Sequence, residues 1–102
     1  MSVDFAKFEA ERIRLRLLQA LAEQAVRPAS LTASMLVRHL SLKGYRKSED
    51  YVLIQLNWLA SQALAVRLMS AGEETVAVLL RPGRDHVDGV GLIPGVDAPE
   101  DE

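Results

Sequence analysis

Apolar positions recur with a helical period in three stretches of the chain and with an alternating period in a fourth. Residues 4 to 25 read as a long first helix. Phe8, Leu15, Leu18, Ala22 and Ala25 form one stripe, and Ile13, Leu17 and Leu21 form a second beside it. Together they exceed the single face that a small domain buries. The helix is therefore expected to offer a surface to a second copy of the chain, a homodimer. The alternative is that it lies under two elements of its own domain. Val26-Arg27-Pro28-Ala29 breaks the helix, because Pro28 disfavours helical geometry before it. Ser30 or Thr32 then caps a second helix to about Lys43, with Leu36 and Leu40 on its core face and Ala33 and Val37 beside them. Gly44 supplies the left-handed residue that stops it.

After the turn Tyr45-Arg46-Lys47, Ser48 caps a third helix whose acidic first turn, Glu49 and Asp50, suits the helix dipole. Val52, Leu56, Leu59 and Ala63 fall on one stripe of it. Beyond Ala63 the period drops to two: Leu64, Val66 and Leu68 alternate with Ala65, Arg67 and Met69. Ser70 to Glu74 reads as a turn. Thr75, Val76, Val78, Leu79 and Leu80 form a second β-prone run, which Pro82-Gly83 closes. Arg84 to Gly89 is expected to hold a short helical turn, followed by an extended strap. The pattern predicts an α+β fold, mostly α: a winged helix-turn-helix of three helices plus a β-hairpin wing, a short C-terminal helical turn and an extended tail. Residues 1–96 form a single domain in this reading, and 97–102 an acidic tail expected to be disordered.

Composition changes this picture little. The chain of 102 residues has 49% hydrophobic and 25% charged residues, ordinary values for one soluble domain. It has no cysteine, which excludes disulfides and cysteine-ligated zinc. No apolar run approaches membrane-spanning length, and the start is charged from Asp4 on and unlike a signal peptide. The expected location is cytoplasmic, with no membrane partner. Charge distribution is more informative than the net charge of −2. From Lys7 to Arg67, ten basic residues face five acidic ones; from Leu68 to the end, two face eight. A basic front with an acidic tail suits a polyanionic partner, although an uneven soluble surface has the same pattern.

Several stretches, in order, resemble a family of small winged-helix proteins, ArsR-like or phage transcriptional regulators, encoded by Mu-like phages and prophages. Residues Arg14 to Leu21 match the family's first helix. Ser48-Glu49-Asp50-Tyr51-Val52 and Leu56-Asn57-Trp58-Leu59-Ala60 match its third. Gly83 to Gly89 matches a "Gly-x-Asp-x-x-x-Gly" segment after the wing, and Ile93-Pro94-Gly95-Val96 with Pro99 matches its ending. The match covers roughly residues 12 to 99. The resemblance implies a winged-helix fold, double-stranded DNA as partner and a role in transcription regulation. The chain departs from the family where Glu49, Asp50 and Tyr51 stand in place of a segment that tends to carry arginine, where Ala63 replaces a glycine, and where Asp97 replaces a basic residue.

For DNA binding, the third helix enters the major groove. Its outward arc holds Ile54, Asn57 and Ser61, with Tyr51 and Trp58 on one flank. Asn57 is the candidate for base reading, since an amide pairs with adenine in bidentate fashion; an exposed helical asparagine is the plain alternative. Lys43, Arg46 and Lys47 in the turn, Arg38 one turn earlier and Arg67 on the wing are placed for phosphate, or are ordinary solvated side chains. Glu73 and Glu74 at the wing tip oppose phosphate. Phe8, Leu15, Leu18 and Trp58 are the candidates for a partner interface, with core packing as the alternative for Trp58. His39 and His86 have no neighbouring ligand pattern, no glycine-rich loop follows a strand, and the acids do not pair. No metal, cofactor or enzymatic activity is expected. Two functions remain: a DNA-binding regulator, which the element order and basic front favour, and a protein-interaction module, with a phage or host protein as partner, which the uncharged third helix and acidic wing tip favour.

Overall fold

The computed structural model describes residues 4–99. It is an α+β structure, about half helical, in the order α1 (Phe5–Ala22), β1 (Ser30–Thr32), α2 (Ala33–Leu42), α3 (Glu49–Ser61), β2 (Val66–Ala71), β3 (Glu74–Leu79) and α4 (Arg81–Val87). The strands form one antiparallel sheet in the order β1-β3-β2.

α1 is the central element. Ile13, Leu15, Leu17, Leu18, Ala20 and Leu21 are all buried, which covers most of the helix circumference. α2, α3, α4 and β3 all pack against it. The broad apolar arc is thus satisfied within the chain, which corrects the expected exposed face. Only the first turns protrude, leaving Phe5 and Phe8 largely exposed.

Caps set the boundaries of the next two helices. Thr32 Oγ1 accepts from the Met35 amide at 3.2 Å, and Ser48 Oγ from the Tyr51 amide at 3.1 Å. At the end of α2, Gly44 adopts φ 92°; its amide donates to Ser41 O and that of Tyr45 to Leu40 O, the Schellman arrangement. Thr32 has a second role that its sequence position hides. With Ser30 and Leu31 it forms β1, in the register Ser30↔Val78, Leu31↔Ala77, Thr32↔Val76.

β2 and β3 pair from Val66↔Leu79 to Ala71↔Glu74, joined by the two-residue loop Gly72-Glu73, with Gly72 at φ 65°. Glycine in the first loop position is what a tight hairpin favours. The strands therefore extend further than the expected turn Ser70 to Glu74 allowed. β3 ends at Leu79, before Pro82-Gly83 as expected, but that pair lies inside α4, so the helical turn expected at Arg84–Gly89 begins three residues earlier and ends at Val87. Proline is tolerated in a first helical turn because its missing amide has no intrahelical acceptor there. Gly83 permits close approach: a Cβ there would lie 2.5 Å from Ala65 O and 2.8 Å from Leu79 Cδ1. The described residues hold four helices and three strands, against the expected three helices, hairpin and short C-terminal helical turn, so β1 is the added element.

The strap after α4 is bound to the body. His86 is fully buried. Its Nδ1 accepts from the Ile93 amide at 2.9 Å, and its Nε2 lies 2.8 Å from Asp97 O. An amide only donates and a carbonyl only accepts, so the ring is the neutral Nε2–H tautomer. The Asp97 amide donates to Glu11 O, and its carboxylate pairs with Arg12 at 2.9 Å. Asp97 therefore belongs to the folded unit, which corrects the boundary placed after residue 96. Residues 100–102 of the expected acidic tail lie outside the described residues. Among the described residues no helix is long and apolar enough to cross a membrane.

Candidate nucleic-acid interface

α3 buries Val52, Gln55, Leu56 and Leu59, so its opposite arc faces outward. At 100° per residue, Asp50, Ile54, Asn57 and Ser61 share that arc. All four are exposed, Ile54 to 63%. Asn57 Nδ2 donates to Leu53 O at 2.8 Å, and Ser61 Oγ donates to Asn57 O at 2.8 Å. The asparagine amide is thus partly committed to its own helix, although the residue is exposed.

The turn 43–48 places Arg46 and Lys47 directly before α3, while Lys43, at the end of α2, also lines the cleft between α1, α2 and α4. Lys43 and Arg46 are exposed. Lys47 is engaged: its Nζ donates to Glu9 Oε1 at 2.6 Å and lies 4.8 Å from the Tyr51 ring centroid. The Glu9 hydrogen bond raises the Lys47 pKa above its ordinary value. Arg38 is exposed on the outward side of α2. Arg67 is set apart. Strand alternation puts it on the outer face of the sheet with Ser30 and Val78, opposite Val66 and Leu68, which join the core.

Between α3 and the hairpin runs a shallow groove of about 300 Å³, lined by Leu53, Asn57, Leu68, Met69, Ser70 and Thr75. No charged residue lines it. Glu74 beside the hairpin tip is drawn back towards α2, accepting from Ser34 Oγ at 2.9 Å. Its carboxylate sits near the N-terminus of that helix, where the dipole favours negative charge.

The residues expected at a partner interface separate differently. Leu15 and Leu18 have no exposed surface and cannot meet a partner while the fold is intact. Trp58 is half-buried and engaged within the chain. The Arg14 guanidinium lies 3.9 Å from its ring centroid, and Gly95 presses on its ring edge. The packing alternative for Trp58 therefore applies. Phe8 remains exposed.

Sequence reasoning missed the centre of this arrangement. Arg14 Nε donates to Gln55 Oε1 at 2.8 Å, and one terminal nitrogen donates to Gly95 O at 2.8 Å. The guanidinium ties α1, α3 and the strap together in one plane over the tryptophan. Burial lowers the Arg14 pKa, with Glu11 acting in the opposite direction. Only the periodicity of α1, which puts Arg14 among buried leucines, hinted at this role.

His39 is half-buried and lies in the cleft between α1, α2 and α4. Among the described residues no three His, Asp or Glu side chains converge as a metal site.

Comparison with protein-family models finds no match, and comparisons with curated proteins and with solved structures find none either.

Proposed function

We propose that the chain is a winged helix-turn-helix protein that binds double-stranded DNA and regulates transcription, of the phage and prophage type that its sequence resembles. The observation that carries this reading is the element order α1-β1-α2-α3-β2-β3 with sheet order β1-β3-β2, which leaves the outward arc of α3 uncovered beside a basic turn. In this reading α3 enters the major groove and Asn57 reads a base edge. Arg38, Lys43 and Arg46 meet phosphates on the same side. Tyr51 and Lys47 buttress the start of the helix rather than touching DNA, and Arg67 belongs to a separate part of the wing. The protein acts as a homodimer through the exposed first turns of α1, at Phe5 and Phe8.

Fluorescence anisotropy on labelled duplexes tests the groove assignment. Arg46→Glu is a cleaner probe than Lys47→Glu, because Lys47 also holds Glu9. Arg46→Glu weakens binding to every sequence. Asn57→Ala changes the preference among sequences, by about 1–3 kcal/mol at the base it reads, and leaves non-specific affinity intact. If neither substitution alters binding, the groove assignment fails.

One observation favours a second reading. The groove beside α3 is uncharged and flanked by exposed Ile54 and half-exposed Met69, a surface suited to a protein segment. A winged helix used as a protein-interaction module would keep its partner after both substitutions above and lose it on Ile54→Asp.

A further inference from the structure

Ile54 is the one large apolar side chain of α3 that stands largely exposed. It lies near the middle of the outward arc, opposite Val52, Leu56 and Leu59, with polar Asp50, Asn57 and Ser61 around it. α3 itself has no Lys or Arg. The exposed cations Arg38 and Arg46 lie outside it, on α2 and in the turn before α3. Cations bordering an arc that holds none match the charge pattern of a DNA groove, where phosphates line the rims and base edges the floor.

The side chains on this arc limit which base edge it can meet. The commonest specific contact, a cation on guanine O6 and N7, has no donor here. Asn57 already gives one N–H to Leu53 O. Ile54 offers only a branched aliphatic surface, and the apolar group that a base presents in the major groove is the C5 methyl of thymine. A β-branched side chain in a helix holds one dominant χ1 rotamer, so Ile54 gives up little freedom on contact. We propose that Ile54 reads thymine through this methyl group, so that the preferred sites carry thymine at the step Ile54 meets and uracil does not replace it. The inference rests on the DNA-binding reading above, and adds a selected base and the residue that selects it.

The test starts from random-sequence duplexes enriched by binding to the wild-type protein. The enriched pool is copied twice, once with thymidine and once with deoxyuridine, which differ only in the C5 methyl. Fluorescence anisotropy then gives the affinity of the full chain for both copies at several salt concentrations. The deoxyuridine copy is expected to bind roughly fourfold more weakly for each methyl contacted, the transfer free energy of one such group. Ile54→Ala, a truncation of an exposed side chain, binds the thymidine copy more weakly by a similar factor and does not distinguish the two copies. The salt slope is the same for both proteins, since no phosphate contact changes. The proposal is overturned if the wild-type protein binds both copies equally with a salt-dependent affinity, or if Ile54→Ala keeps the preference for thymidine. Absence of binding to either copy at low salt is a different failure: it removes the DNA reading itself, and this inference with it.

Discussion

Replacing Gly95 by alanine tests how the strap is held, because two separable penalties meet at that position. The backbone there has φ 89°, a conformation that costs a residue with a Cβ about 1–2 kcal/mol. The new Cβ would also lie 2.6 Å from two ring carbons of Trp58. The ring cannot move away freely, since Arg14 stacks on it and is itself hydrogen-bonded to Gln55 and to the Gly95 carbonyl. Forced overlap of this kind costs about 1–3 kcal/mol. The sum, about 3 kcal/mol, is a large share of the stability of a small domain and lowers Tm by roughly 10–25 °C. Urea denaturation followed by far-ultraviolet circular dichroism, a signal that survives loss of the single tryptophan, measures it directly. The two parts separate in a cycle with Trp58→Leu. In that background the overlap is gone, so Gly95→Ala costs only the backbone part, leaving a coupling of about 1–3 kcal/mol. The reasoning is refuted if Gly95→Ala is neutral, or if its cost is the same with and without Trp58.

Two further predictions concern α4. Gly83→Ala destabilises by about 2–3 kcal/mol, because its Cβ would meet a backbone carbonyl, Ala65 O, that also accepts from the Leu80 amide; thermal denaturation checks this, and trimming Leu79 to alanine should not restore the loss. His86→Ala costs about 2–4 kcal/mol through a cavity and two deserted backbone partners, Ile93 N–H and Asp97 C=O. In the native protein, two-bond nitrogen–proton NMR correlations should report the Nε2–H tautomer for this ring.

The helices α2 and α3 were legible in the sequence because period and caps agree there: Leu36 with Leu40, Val52 with Leu56 and Leu59, Thr32 and Ser48 at the starts, Gly44 at the stop. The hairpin was legible from its alternation. β1 was not, since three residues carry no period and its pairing partner lies more than forty residues away. The start of α4 is not legible, because Pro82 and Gly83 normally mark a break, whereas here the proline occupies a first turn and the glycine a tight contact with the sheet. The broad stripe of α1 is legible as apolar, but the choice between a partner and the chain's own elements as its cover is not. Periodicity measures how much surface needs covering, not what covers it.

The candidate site was legible to a similar degree. The basic turn lies beside α3 as the spacing indicates, and Asn57 and Ile54 are on the outward arc. The separation of Arg67 follows from strand pairing and could not be read from charge alone. The Lys47–Glu9 pair joins positions 38 residues apart. The link from Arg14 to Gly95 spans 81 positions. Contacts of that range leave no local pattern. Gly83 and Gly95 both stand where another backbone or ring approaches closely, so what the structure gives them is a packing role.

The measurement that bears most directly on the proposed function is the affinity of the full-length protein for random duplex DNA across a salt series. With Arg38, Lys43 and Arg46 on phosphates, log K falls linearly with log salt concentration at a slope of about −3, and Arg46→Glu reduces that slope by about one. No detectable binding at low salt, or an affinity that salt leaves unchanged, contradicts the DNA reading and points to the uncharged groove beside α3 as the working surface.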